Sequence, residues 1–126
     1  MSHENHKDKR VNIAVFASGR GTNFSAITWA IKSGKIKANM SLLVCDNHKA
    51  GAIARAKRAG IKVALVKRDD FTAQEDFYAK ITQHLEENKI DLVVLAGFMR
   101  ILPTGFVKRY ENRILNIHPA LLPSFK

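Results

Sequence analysis

The apolar run 11–17 breaks off into Ser18-Gly19-Arg20-Gly21-Thr22-Asn23, and apolar residues then recur at helical spacing through Phe24, Ile27 and Ile31 until Gly34. A short β-rich apolar run reads as a strand buried on both faces, as in a parallel sheet covered by helices. Strand, glycine-rich turn and helix N-terminus in that order make an anion site. Glycines let the backbone turn tightly and approach a ligand, while the free N–H groups and dipole of the first helical turn favour a phosphate. The turn lacks the third glycine of a dinucleotide fingerprint, and the only acidic residue near the expected distance is Asp46. One phosphate is therefore expected, at Gly21, Thr22 and Asn23; the plainer alternative is a βα turn with Thr22 as N-cap.

The same grammar continues. Residues 40–45 read as a second strand, 50–59 as a helix ended by Gly60, and 62–66 as a third strand. A charged loop at 67–71 leads to a helix over 73–88, with Phe77, Ile81 and Leu85 on one face and His84 as a solvated residue. Residues 91–96 form a fourth strand whose Leu-Val-Val-Leu core must be covered on both sides. The expected fold is α/β, a doubly wound, mainly parallel open sheet over residues 11–126, preceded by a disordered polar tail at 1–10.

In such sheets ligands bind outside the carboxyl ends of the strands, where the strand order reverses. Three segments fall at carboxyl ends: the 18–23 turn, the stretch 97–102 and the turn at 116–119. Met99, Arg100, Ile101 and Leu102 mix apolar side chains with backbone made accessible by Gly97, a wall suited to a flat heteroaromatic ligand. Equally, they can be a strand exit packed under a short helix at 103–109. In Arg113-Ile114-Leu115-Asn116-Ile117-His118-Pro119, strand alternation sends Asn116 and His118 to one face and Leu115 and Ile117 to apolar packing on the other. An amide beside an imidazole can hold a carbonyl oxygen while a proton moves, or both can be satisfied by local hydrogen bonds.

Composition narrows the setting. A chain of 126 residues is one domain with a real core, and the lone Cys45 cannot form an internal disulfide. No apolar h-region of a secretion signal follows the polar start, so a cytoplasmic protein is expected, and the longest apolar run, 92–99, is far short of the roughly 20 residues that span a bilayer. The net charge of +10 is scattered rather than clustered. It attracts anions generally, but without interleaved stacking aromatics it does not point to specific nucleic-acid binding.

Taken together, Ser18-Gly19-Arg20-Gly21-Thr22-Asn23, Leu95-Ala96-Gly97-Phe98-Met99-Arg100-Ile101-Leu102 and Asn116-Ile117-His118-Pro119-Ala120-Leu121-Leu122-Pro123 resemble the phosphoribosylglycinamide formyltransferases of purine biosynthesis. The resemblance runs from Val11 to Lys126 and implies a Rossmann-like formyltransferase core. It further implies formyl transfer from 10-formyltetrahydrofolate, as co-substrate and without a metal, to the amine of glycinamide ribonucleotide. By the same resemblance Gly21, Thr22 and Asn23 hold the substrate phosphate, while Met99, Arg100, Ile101 and Leu102 line the folate site. Asn116 hydrogen-bonds the formyl group and His118 moves the proton.

Two departures from the family pattern carry consequences. Gln74 stands where the family often has a basic residue for the folate tail. The family also continues past the position of Lys126 with a segment carrying an aspartate beside the histidine, so the chain reads as an N-terminal portion, truncated at its C-terminus. Poor turnover, an uncovered apolar side on the last two strands and a possible homodimer follow as expectations. So does a cis bond at Leu122–Pro123. The rival readings are another formyltetrahydrofolate enzyme (the hydrolase or the methionyl-tRNA formyltransferase) and an inactive nucleotide-binding fragment.

Overall fold

The structure is a computed structural model that describes residues 10–117; His118, the Leu122–Pro123 bond and all but the last residue of the polar tail lie outside the described residues. The element order is β1 (Val11–Ala17), α1 (Thr22–Lys32), β2 (Ala38–Cys45), α2 (Gly51–Arg58), β3 (Val63–Leu65), a 3-10 turn (Arg68–Asp70), α3 (Gln74–Glu87), β4 (Leu92–Leu95), α4 (Thr104–Arg109) and β5 (Ile114–Asn116). All described strand pairs are parallel, in the order β3-β2-β1-β4-β5. The doubly wound sheet is thus as expected, with β1 at its centre.

Alternation along β1 divides the core. Ile13, Val15 and Ala17 face Phe24, Ala52 and Ala56 of α1 and α2. Ala14 and Phe16 face Phe77, Ile81, Leu85 and Phe106 of α3 and α4. Burial on both faces is why this strand carries no apolar–polar alternation in its sequence. On the α3 side the core is strongly aromatic: Phe16 meets Phe98 edge-on at 5.2 Å, and Phe106 lies 6.0 Å from Phe16 and 5.5 Å from Tyr78. Those rings form the floor beneath the exit of β4.

One expectation fails. Leu115 is not packed but 54% exposed, whereas Ile117 does pack against the α1-side core. The cause is position: β5 is an edge strand of the described sheet, on the side away from β2 and β3, against which α1 and α2 chiefly pack, leaving Leu115 without cover.

His84 is half-buried on α3 rather than fully solvated, and burial first, then Lys80, lowers its pKa from the ordinary 6.5. A base whose pKa falls on folding binds more protons unfolded, so stability is lost as pH drops below 6.5 toward the folded value. His84→Gln is expected to reduce the fall in melting temperature between neutral and mildly acidic pH. An unchanged fall would rule His84 out as a contributor.

Candidate active site

The chain leaves β3 through α3 and returns on the far side of β1 as β4. Between these two central strands the order reverses, which opens a crevice at their carboxyl ends. Two of the three segments singled out in the sequence meet there. Ser18 N–H donates to the Gly97 carbonyl at 3.2 Å, and Met99 N–H donates to Ser18 Oγ at 3.0 Å.

The turn after β1 has its carbonyls consumed. Asn47 Nδ2 approaches Ser18 O at 3.5 Å, Ala52 N–H donates to Gly19 O at 3.1 Å, and Arg55 Nε donates to Arg20 O at 2.7 Å. Gly21 O accepts the first bond of α1, from Ser25 N–H at 2.9 Å. By contrast, the amides of Gly19, Arg20 and Gly21 bond to no described residue, and no side chain caps α1. With every acceptor turned away and the donors left open, the turn presents a surface of positive partial charge.

Gly21 shows why the sequence folds this way. Its φ of +82° lies in the left-handed region, and a Cβ there would stand 2.6 Å from Ala52 Cβ and 2.7 Å from Ala52 Cα. Glycine therefore serves both conformation and contact. The N-cap is Gly21 itself, with no side-chain bond, so Thr22 does not act as the cap. Thr22 is the first residue of α1 and is exposed. Asn23 is 8% exposed, yet its Oδ1 has no described partner. Buried amides rarely go unpaired. Gly21, Thr22 and Asn23, with Ala96 and Gly97, line a cavity of about 230 Å³.

The segment after β4 is held by its backbone and Arg100, while two side chains project outward. Tyr78 Oη donates to the Ile101 carbonyl at 3.1 Å, and Arg100 Nε pairs with Asp46. The Arg100 guanidinium also lies 5.4 Å from the centre of the Phe77 ring. Burial, opposed by Arg100, raises the Tyr78 pKa, so its phenol remains a donor at neutral pH. Leu102 packs into the aromatic core, whereas Met99 and Ile101 are 81% and 86% exposed. The segment is a strand exit anchored above α3 and α4, with the apolar side chains of Met99 and Ile101 open to solvent.

Asn116 lies at the carboxyl end of β5, paired in register with Leu95, and Ile117 N–H donates to Leu95 O at 2.9 Å. Its side chain shares the face of Leu95 and is exposed. Three participants were not legible in the sequence: Ser18 as a link between loops, Arg55 as a brace for the turn, and Asp46 as the partner of Arg100. The side chain of Asp46 is 6% exposed, with Oδ2 on Arg100 and Oδ1 without a described partner. Its position directly after β2 was the available signal. A second cavity, of about 490 Å³, opens beside it among Lys67, Arg68 and Arg100. Among the described residues no group of three or more His, Cys, Asp or Glu side chains is placed to hold a metal ion. No described helix is long and apolar enough to cross a membrane.

The chain has relatives among known proteins. The chain is 39% identical over 115 residues to the phosphoribosylglycinamide formyltransferase of Escherichia coli (strain K12), covering 91% of this chain and 54% of that protein. It is 40% identical over 117 residues to the trifunctional purine biosynthetic protein adenosine-3 of Gallus gallus, covering 93% of this chain and 12% of that one. Among solved structures, glycinamide ribonucleotide transformylase 1 from Geobacillus kaustophilus superposes with a TM-score of 0.85 at 41% identity, over 93% of this chain and 62% of that chain. The chain thus spans about half the length of the Escherichia coli relative. Residues 11–126 match the family described as formyl transferase, nearly the whole chain, and on that match the chain belongs to the formyl transferase family.

Proposed function

We propose that the crevice between β1 and β4 is part of a site that transfers a formyl group from 10-formyltetrahydrofolate to the amine of glycinamide ribonucleotide. The observation that carries this reading is the 18–23 turn, with its carbonyls consumed and the amides of Gly19, Arg20 and Gly21 open. A phosphate monoester supplies the acceptors that such a turn lacks. The exposed apolar side chains of Met99 and Ile101, with Arg100 fixed between them, suit a flat pterin. Cys45, a free buried thiol whose pKa is raised chiefly by burial, is inert and fits a cytoplasmic setting.

The chemistry asks for these residue types. The substrate amine attacks the formyl carbon, the carbonyl oxygen takes up negative charge, and the C–N bond to the folate then breaks. Asn116 donates an amide N–H to the developing oxyanion. His118 takes the proton from the amine and returns one to the departing folate nitrogen. The phosphate fixed at the turn holds the amine in position for attack.

Calorimetric titration of the chain with glycinamide ribonucleotide tests the phosphate assignment. Asn23→Ala removes the side-chain Nδ2 donor proposed to reach the phosphate and is expected to weaken binding about tenfold. Parental affinity in that variant would overturn the assignment. Formyl-transfer assays offering glycinamide ribonucleotide, water or methionyl-tRNA as acceptor separate the proposed reaction from its two rivals in the superfamily.

A further inference from the structure

Ser18 belongs to both halves of the site. It opens the anion turn, and its N–H and its hydroxyl each hold the strand exit, at Gly97 O and Met99 N respectively. The rest of that exit is anchored further along, by Asp46 at Arg100, Tyr78 at Ile101 O and the packing of Leu102. From Gly97 to Met99 the tethers are the two bonds to Ser18 and the ring of Phe98. Gly97 has a φ of +81° and nothing within 4 Å of its Cβ position, so no side-chain contact holds the backbone there. Met99, 81% exposed, adds no packing.

We infer that Ser18 couples the two ligands: a phosphate group settled on the turn and a folate lying along Met99 to Leu102 each raise the affinity for the other. This rests on the function proposed above. The physical argument is shared ordering. A phosphate on the open amides after Ser18 adds a restraint to a turn otherwise held through its carbonyls, and with it to the Ser18 hydroxyl that receives Met99 N–H. The 97–99 backbone then has less freedom left to lose when the folate binds. Linkage makes the effect reciprocal, with the same factor in both directions. Ser18 is accordingly a positioning residue, acting through Met99 and Gly97.

The test is a pair of titrations on the whole 126-residue chain. Tetrahydrofolate affinity is measured with and without saturating glycinamide ribonucleotide, and the reverse. The parent is expected to show coupling of about fivefold or more, equal in the two directions. Ser18→Ala should bring the factor close to one, and Ser18→Thr, which keeps the hydroxyl, should retain it. A structural role alone predicts weaker binding of both ligands in Ser18→Ala with the coupling factor intact, and that outcome overturns the proposal. So does a parent that binds both ligands independently, a result that needs no variant to fold. A parent that binds neither ligand overturns the proposed site and this inference together, whereas binding without coupling removes this inference alone.

Discussion

Gly21→Val is expected to destabilise the folded chain by about 2–6 kcal/mol, the sum of forcing a non-glycine residue into the left-handed region and overpacking a close contact. For a parent near the low end of the typical range of about 5–15 kcal/mol, that is enough to leave a large unfolded fraction at physiological temperature. The collision involves backbone, since the new Cβ would stand 2.7 Å from Ala52 Cα. Trimming Ala52 to glycine would therefore not restore the fit. Because alanine carries the same Cβ, Gly21→Ala should cost most of what valine costs. Urea titrations of both variants would show it, and a parental midpoint for Gly21→Ala would refute the packing of α1 against α2. A loss of phosphate binding in either variant would be uninformative, because the fold fails first; Asn23→Ala is the cleaner probe of the ligand.

The second large effect is expected at Phe16. It is fully buried at the centre of the sheet, beneath Phe98 and beside Phe106. Phe16→Ala should cost about 3–5 kcal/mol, because the two rings against it, Phe98 after β4 and Phe106 on α4, belong to separate segments and cannot both collapse into the space. The loss should also be felt at the strand exit, where Phe98 would have no ring to stand on. Limited proteolysis should accordingly cut near residues 97–102 faster than in the parent, by more than the global destabilisation predicts. Cleavage that scales only with global stability would show that the exit is held by its hydrogen bonds alone.

Much of this was written plainly in the chain. Strands β1 and β4 were visible because strands covered on both faces must be almost wholly apolar, and α3 because Phe77, Ile81 and Leu85 fall on one helical face. The glycine turn was visible because its sequence has few other uses. What could not be read were relations between loops. Nothing local to Ser18 names Gly97 or Met99 as its partner, and nothing local to Asp46 names Arg100; each pairing exists only once the strand order is known. Leu115 misled for a related reason: alternation states which face a side chain takes, but not whether anything covers that face. Gly21 was legible as a turn residue, whereas its contact with Ala52 was not.

The turn after β1 also has a place in the order of folding. Its carbonyls are held by Asn47, by Ala52 and by Arg55, all contributed by the stretch from the end of β2 through α2. The glycine-rich sequence cannot hold its ligand-ready shape by itself, however well suited each residue is. On the proposed function, a growing chain that has made β1 and α1 has the motif but not the phosphate receptor. The receptor appears when the second strand–helix unit docks, so anion affinity should rise together with tertiary packing rather than with helix formation.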